Sequence, residues 1–78
     1  MILNLKYFGM VAEAVHKNEE SFNFSGKSIS ELDLAIKIKY SKLDQLNYTF
    51  AVNHTMANKD LLLTENDEVA LLPPFAGG

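Results

Sequence analysis

The sequence has 78 residues, which is enough for one small domain but leaves little room for a deep cavity with a complete catalytic set. It contains no cysteine, which excludes disulfide bonds, a zinc–thiolate site and a thiol nucleophile, and no residue spacing indicates another metal site. The net charge is −3 and all seven basic residues are lysines, so nucleic acid, which arginine usually reads and grips, is not an expected partner.

The first third of the sequence predicts two strands joined by a short helix. Residues 3–7 alternate between apolar and polar side chains, as in a strand with one buried face, and Gly9 ends this strand. Phe8 lies out of register with the buried face. A short helix is predicted over residues 10–16, and residues 21–25 alternate again, which predicts a second strand close enough to pair antiparallel with the first.

The main helix is predicted over residues 29–40. Ser28 and Glu31 have the spacing of a capping box, in which each side chain satisfies a backbone N–H at the start of the helix. Apolar residues recur behind this cap at intervals of three and four, so one face of the helix should be buried.

The remaining segments predict three more strands. Residues 49–53 form the third strand, a turn at Asn53-His54 leads to a short fourth strand over 56–58, and residues 68–72 form the last strand. The three leucines of residues 61–63 should tuck under the sheet. The predicted fold class is therefore α+β, a mixed sheet of about five strands with one main helix packed on one face.

The end of the sequence forms a distinct segment. Pro73 and Pro74 stop the last strand because neither residue can donate a hydrogen bond to a neighbouring strand. The predicted organisation is a domain over residues 1–72 and an extended tail over 73–78, which can reach about 20 Å from the body of the domain. Gly77 and Gly78 have no side chains, so the tail can enter a narrow channel in another protein.

These segments, taken in order, resemble the ubiquitin-like β-grasp family and, more closely, the small, sulfur-carrying subunits of molybdopterin synthase. The resemblance covers nearly the whole chain. It depends on residues 5–9 with the helix that follows, on residues 51–53 and 67–70, and on Pro73-Pro74 placed ahead of the terminal Gly77-Gly78.

The resemblance implies a carrier mechanism. In the family, an E1-like adenylating enzyme uses ATP to convert the C-terminal glycine carboxylate into an acyl-adenylate, and sulfur then replaces AMP to give a thiocarboxylate. The carrier passes this sulfur to cyclic pyranopterin monophosphate on the large synthase subunit, within a heterotetramer, and so builds the dithiolene of molybdopterin. Gly78 would carry the sulfur and Gly77 would give clearance. The chain would be a sulfurtransferase only as part of this complex, with no stably bound cofactor.

The composition of the chain agrees with this mechanism. No glycine-rich phosphate loop and no Cys–His pair is available to activate a carboxylate, so activation must come from a partner. Without cysteine, sulfur needs another atom to hold it, and the carboxyl carbon of Gly78 is available. The chain therefore has no catalytic machinery of its own.

A docking surface is also predicted. Phe8 and Leu72 lie out of register with the buried faces of their strands, and Met56 is an apolar residue in a polar turn region. The family uses apolar residues at these three positions to pack against the large subunit. The tail residues complete the predicted partner-binding set, which consists of Phe8, Met56, Leu72, Pro73, Pro74, Phe75 and Ala76.

Other functions stay open at this stage. The sulfur carrier of thiamine thiazole synthesis shares the fold, the Gly-Gly end and the activation chemistry, although its tail generally lacks the Pro-Pro pair. A ubiquitin-like modifier that is conjugated to lysines, or an interaction domain with an inert tail, would also fit. No signal peptide is evident and no segment approaches the roughly 20 apolar residues of a membrane span, so a cytoplasmic location without membrane association is expected.

Overall fold

The sheet combines a parallel pair of strands at its centre with antiparallel pairs on both sides. The computed structural model describes residues 1–74. Its elements are β1 (Ile2–Tyr7), α1 (Gly9–Val15), β2 (Glu19–Asn23), α2 (Ile29–Lys39), a 3-10 segment (Ser41–Gln45), β3 (Thr49–Val52), β4 (Thr55–Ala57) and β5 (Glu68–Leu72). The five strands are ordered β2-β1-β5-β3-β4, and β1 and β5 are the parallel pair. The predicted α+β class with one main helix on one face of a mixed sheet is confirmed.

The two faces of the sheet differ in character because successive residues of a strand point to opposite sides. One face, called the inner face here, carries apolar side chains that pack beneath α2, and Leu5 pairs there with Val69 while Tyr7 pairs with Leu71. These four side chains are almost completely buried. The opposite side, called the open face, has no helix over it in the described residues and carries the alternate positions of the same strands.

The cap of α2 forms as predicted. The Ser28 hydroxyl accepts the Glu31 backbone N–H at 3.3 Å, and a Glu31 carboxylate oxygen accepts the Ser28 N–H at 3.2 Å. The side chains of Ile29, Leu32 and Ile36 recur on one face of the helix and are fully buried against the inner face. The helix ends at Lys39, one residue before the predicted limit.

Most predicted limits differ from the structure by no more than one residue, as for α1, β3 and β4, but two predicted segments need a larger correction. The second strand covers Glu19–Asn23 rather than 21–25, because its antiparallel register pairs Glu19 with Lys6 and leaves Phe24 beyond the last pair. Of the three leucines at 61–63, only Leu63 is buried. The backbone of this segment bonds to the start of α2, where Leu61 accepts the Ile29 N–H at 3.0 Å, and this leaves the side chains of Leu61 and Leu62 exposed.

A single carboxylate ties the outer strand to the core. Glu20 in β2 accepts hydrogen bonds from the hydroxyls of Tyr7 and Tyr40, and from Lys39 Nζ at 3.0 Å. The Tyr7 and Tyr40 rings meet edge to face, with centroids 6.3 Å apart. Burial, together with the hydrogen bond to Glu20, raises the pKa of Tyr7 well above its ordinary value, so its hydroxyl stays a donor.

No helix within residues 1–74 has the length and apolar character needed to cross a membrane.

Candidate docking surface and tail exit

Phe8 and Leu72 lie side by side on the open face. The N–H of Phe8 donates to the Leu71 carbonyl at 3.2 Å, so the β1–β5 pairing continues for one residue past Tyr7 and brings Phe8 next to Leu72. Phe8 is 44% exposed and Leu72 is half-buried, whereas Leu71 on the inner face is fully buried. The prediction that both side chains point away from the core is confirmed.

Met56 joins the same surface from the neighbouring strands. It pairs with Ala51 across β3 and β4, and Ala51 pairs with Ala70 across β3 and β5, so the three residues form one row on the open face. Met56 is 49% exposed. The two alanines are short, which leaves a shallow apolar floor between Met56 and the Phe8–Leu72 pair. These five residues are called the docking patch below.

The chain leaves the sheet beside this patch. β5 ends at Leu72, which pairs with Thr49, and the next two residues are the exposed prolines. Pro73 packs directly on Gly9, since a Cβ atom at residue 9 would lie only 2.8 Å from the Pro73 Cγ. Gly9 also has a φ of 55°, a backbone conformation that glycine adopts without steric cost. The start of α1 therefore sets the position of the first tail residue.

Pro74 borders two surface depressions. One lies between α1 and the end of the 3-10 segment and is lined by residues that include Met10, Leu46 and Pro73. The other lies between α2 and the β3–β4 pair, and its lining includes Asp33, Lys37 and Met56. The predicted site residues Phe75, Ala76, Gly77 and Gly78 lie outside the described residues, and so does most of the predicted tail.

The far end of the open face is polar. Glu68 lies 3.5 Å from Lys6 Nζ and 3.5 Å from His54 Nε2. Its backbone N–H donates to the Asn53 side chain at 3.0 Å, and that side chain in turn donates to Asp67 at 2.9 Å. These groups fix the Asn53–His54 turn between β3 and β4 and give the apolar patch a charged border.

Asp67 is held in its ionised form at this border. Partial burial opposes ionisation, but hydrogen bonds from the backbone and hydroxyl of Thr64 and from the Asn53 amide together lower the pKa of the Asp67 carboxyl.

In residues 1–74, no group of three or more His, Asp or Glu side chains is arranged to hold a metal ion.

The sequence did not reveal the contacts that Gly9, Ala51 and Ala70 make at this surface, although all three residues lie in segments that carry the family resemblance. The contact of Gly9 with Pro73 joins residues at opposite ends of the chain and leaves no local pattern. The alternation of β5 did carry a signal for Ala70, because this residue shares the parity of Leu72.

Comparison with known proteins assigns the chain to a family. Residues 5–78 match the sequence model of the ThiS family. A protein assigned as molybdopterin converting factor subunit 1 from Pyrococcus furiosus has a similar structure, with a TM-score of 0.89 and 22% identity over 96% of this chain and 99% of that one.

Two further solved structures are similar over the whole of both chains. SAMP1, a small archaeal modifier protein from Haloferax volcanii, has a TM-score of 0.84 at 19% identity and 100% coverage of each chain. A chain from the complex of subunits 1 and 2 of molybdopterin-converting factor from Helicobacter pylori has a TM-score of 0.68 at 23% identity, again with 100% coverage of each. The fold is thus the ubiquitin-like β-grasp, and the chain belongs to the ThiS family.

Proposed function

We propose that this chain is the sulfur-carrier subunit of a molybdopterin synthase. In this proposal an E1-like enzyme adenylates the carboxylate of Gly78 with ATP, and sulfur displaces AMP to leave a thiocarboxylate. The thiocarboxylate sulfur is then transferred to cyclic pyranopterin monophosphate, and two such transfers build the dithiolene. The chain acts as a sulfurtransferase only within that complex.

The observation that carries the proposal is the position of the docking patch beside the tail exit. Phe8 and Leu72 expose apolar surface at the end of the sheet where the chain continues toward Gly78. A partner that receives the tail must approach this end, and exposed apolar side chains there provide the kind of surface that interfaces bury. The family match, which runs to residue 78, supports the same role for the terminal glycines.

The tail residues have separate roles in this proposal. Gly78 holds the transferred group, and Gly77 leaves room for the nucleophile because it has no Cβ. Pro73, held on Gly9, and Pro74 set the direction in which the tail leaves the domain, since their φ angles are restricted. Phe75 and Ala76 are proposed to contact the walls of the partner's groove, with Phe75 as the larger anchor.

The proposed partners are the large synthase subunit, in a heterotetramer, and the adenylating enzyme. The similarity to a chain from the complex of subunits 1 and 2 of molybdopterin-converting factor supports a large-subunit partner. The adenylating enzyme is inferred from chemistry, because a free carboxylate is a poor acyl donor and this chain has no group to activate it. A cytoplasmic location is proposed with these partners.

Two related functions share the same surface. A sulfur carrier for thiamine thiazole synthesis would use the same tail chemistry, and Pro73-Pro74 favours the molybdopterin role over it. A protein modifier is favoured by the similarity to the small archaeal modifier protein. Both alternatives are separated from the main proposal by the identity of the proteins that bind the tail.

Capture of the full-length chain from its own cells, with mass spectrometry of the bound proteins, tests these assignments. Recovery of a molybdopterin synthase large subunit together with an adenylating enzyme would support the proposal. A thiazole synthase in their place, or lysine-linked adducts of the chain, would replace it with one of the alternatives. Intact-mass analysis should also show exchange of one oxygen for sulfur, and this exchange should disappear when Gly77 and Gly78 are deleted.

The docking role of Phe8 can be measured against a matched residue. Phe8→Ala removes a side chain that is 44% exposed, and loss of that area from the interface should weaken binding of the large subunit by about 1 kcal/mol, or about fivefold in Kd. Ile2 lies on the same strand and is 39% exposed, but it is at the opposite end of β1, about 20 Å away. Ile2→Ala should leave the Kd unchanged.

The same pair separates docking from folding. Each variant should lower the free energy of unfolding by much less than the about 3–5 kcal/mol expected for a fully buried phenylalanine. Equal loss of binding in both variants, or a core-sized loss of stability in Phe8→Ala, would contradict the proposed surface.

A further inference from the structure

The outer face of α2 exposes two large apolar side chains. Leu34 is 63% exposed and Ile38 is 85% exposed. They are four residues apart, so they lie one above the other on the side of the helix that points away from the sheet. This surface is on the opposite side of the sheet from the docking patch, and the proposed sulfur transfer does not use it.

A groove runs beside these two residues. It lies between α2 and the outer strand β2, and its lining includes Phe22, Phe24 and Ala35. Gly26 lies at the edge of the groove and packs on the Phe24 ring, since a Cβ atom at residue 26 would lie 2.5 Å from that ring. The chain therefore presents a protruding apolar side chain, Ile38, next to an apolar depression.

The charges along this helix are divided between its two ends. Glu31 and Asp33 lie in the first half of the helix, while Lys37 and Lys39 lie in its last turn and Lys42 follows in the 3-10 segment. Within the chain, Lys37 pairs with Asp33 at 3.3 Å and Lys39 pairs with Glu20 at 3.0 Å. If two such helices pack antiparallel, the acidic start of each lies near the basic end of the other. Their dipoles are then also opposed, which favours the same arrangement.

These features make the surface complementary to itself, and we propose that a second copy of this chain packs on it, with the two α2 helices antiparallel. Ile38 of each copy enters the α2–β2 groove of the other, and Leu34 packs near the two-fold axis. In a two-fold interface the same surface of each copy must supply both the inserting side chain and the groove that receives it. Ile38 and the neighbouring α2–β2 groove meet that requirement.

The dimer would leave both docking patches and both tails accessible. Because α2 covers the inner face, two copies joined through α2 direct their open faces away from each other. The inference is therefore independent of the proposed function, and either can fail without the other.

Sedimentation velocity of the full chain over a range of concentrations tests the dimer. The native protein should pass from monomer to dimer as concentration rises. Ile38→Glu places a charge where the side chain enters the apolar groove of the other copy, and it should raise the dissociation constant at least tenfold. Met10→Glu makes the same change at a side chain that is 64% exposed on α1, and it should leave association unchanged.

A second measurement identifies the face. Because the chain has no cysteine, a mixture of the Leu34→Cys and Ile38→Cys variants can be oxidised without interference from other thiols. Rapid disulfide-linked dimers are expected from this mixture and not from Met10→Cys. Circular dichroism of each variant should retain the native signal. A chain that stays monomeric at every concentration, or an Ile38→Glu variant that associates like the native protein, would overturn the inference.

Discussion

Substitution of Gly9 by alanine tests the contact that positions the tail. Residue 9 has a φ of 55°, and a Cβ atom there would lie 2.8 Å from the Cγ of Pro73. The left-handed backbone alone costs an alanine about 1–2 kcal/mol. The close approach to Pro73 adds about 1 kcal/mol more, at the lower end of the cost of overpacking, since Pro73 is exposed and can shift. Gly9→Ala should therefore lower the free energy of unfolding by about 2–3 kcal/mol.

A double-mutant cycle separates the two costs. Pro73→Ala removes the Cγ atom, so Gly9→Ala in that background should cost only the backbone part, and urea unfolding of the four proteins should give a coupling energy of about 1 kcal/mol. Gly26→Ala is the matched control, because its Cβ would meet the Phe24 ring and not Pro73. Its cost should be the same in both backgrounds. If Gly9→Ala also costs the same in both, Pro73 does not rest on Gly9 and the proposed direction of the tail has no support.

Acid unfolding should depend on Glu20. Partial burial opposes ionisation of this carboxyl, but hydrogen bonds from Tyr7, Tyr40 and Lys39 lower its pKa from 4.5 to about 2. The stability that it contributes is therefore complete above about pH 4.5 and is lost as the pH falls toward 2, so the deficit of Glu20→Gln in urea unfolding should be largest near neutral pH and shrink in acid. A deficit that does not change with pH would contradict this. Ser28→Ala should cost about 1 kcal/mol in the same assay, through loss of the helix cap, and no loss would show that the cap is unimportant.

Local patterns were sufficient to predict most of the elements. Alternation along β1 identified its buried face, and the capping box located the start of α2 because the hydrogen bonds involved join residues three apart. The exposure of Phe8 and Leu72 followed from the same alternation, since a residue of the wrong parity must point away from the core.

Contacts between residues far apart in the sequence could not be predicted from local patterns. Glu20 accepts hydrogen bonds from Tyr40 and Lys39 only because the fold places the end of α2 beside β2. The residues around Glu20 in the sequence do not indicate these partners. The limits of β2 were missed for a related reason. Its pairing with β1 recruits Glu19 and Glu20, residues that seldom favour strands by themselves.

The arrangement of the sheet explains how one short chain provides both a core and the proposed docking surface. β1 and β5 place alternate residues on the inner and open faces, so Leu71 contributes to the core while its neighbour Leu72 stays available for contact. Since β5 is the central strand, the tail leaves from the middle of the sheet and not from an edge. Gly9 turns the chain immediately after Phe8 and makes space for Pro73 at that point. In the proposed complex, a partner that encloses the residues after Pro74 should also cover Phe8 and Leu72, so recognition of the domain and insertion of the tail would occur in one binding event.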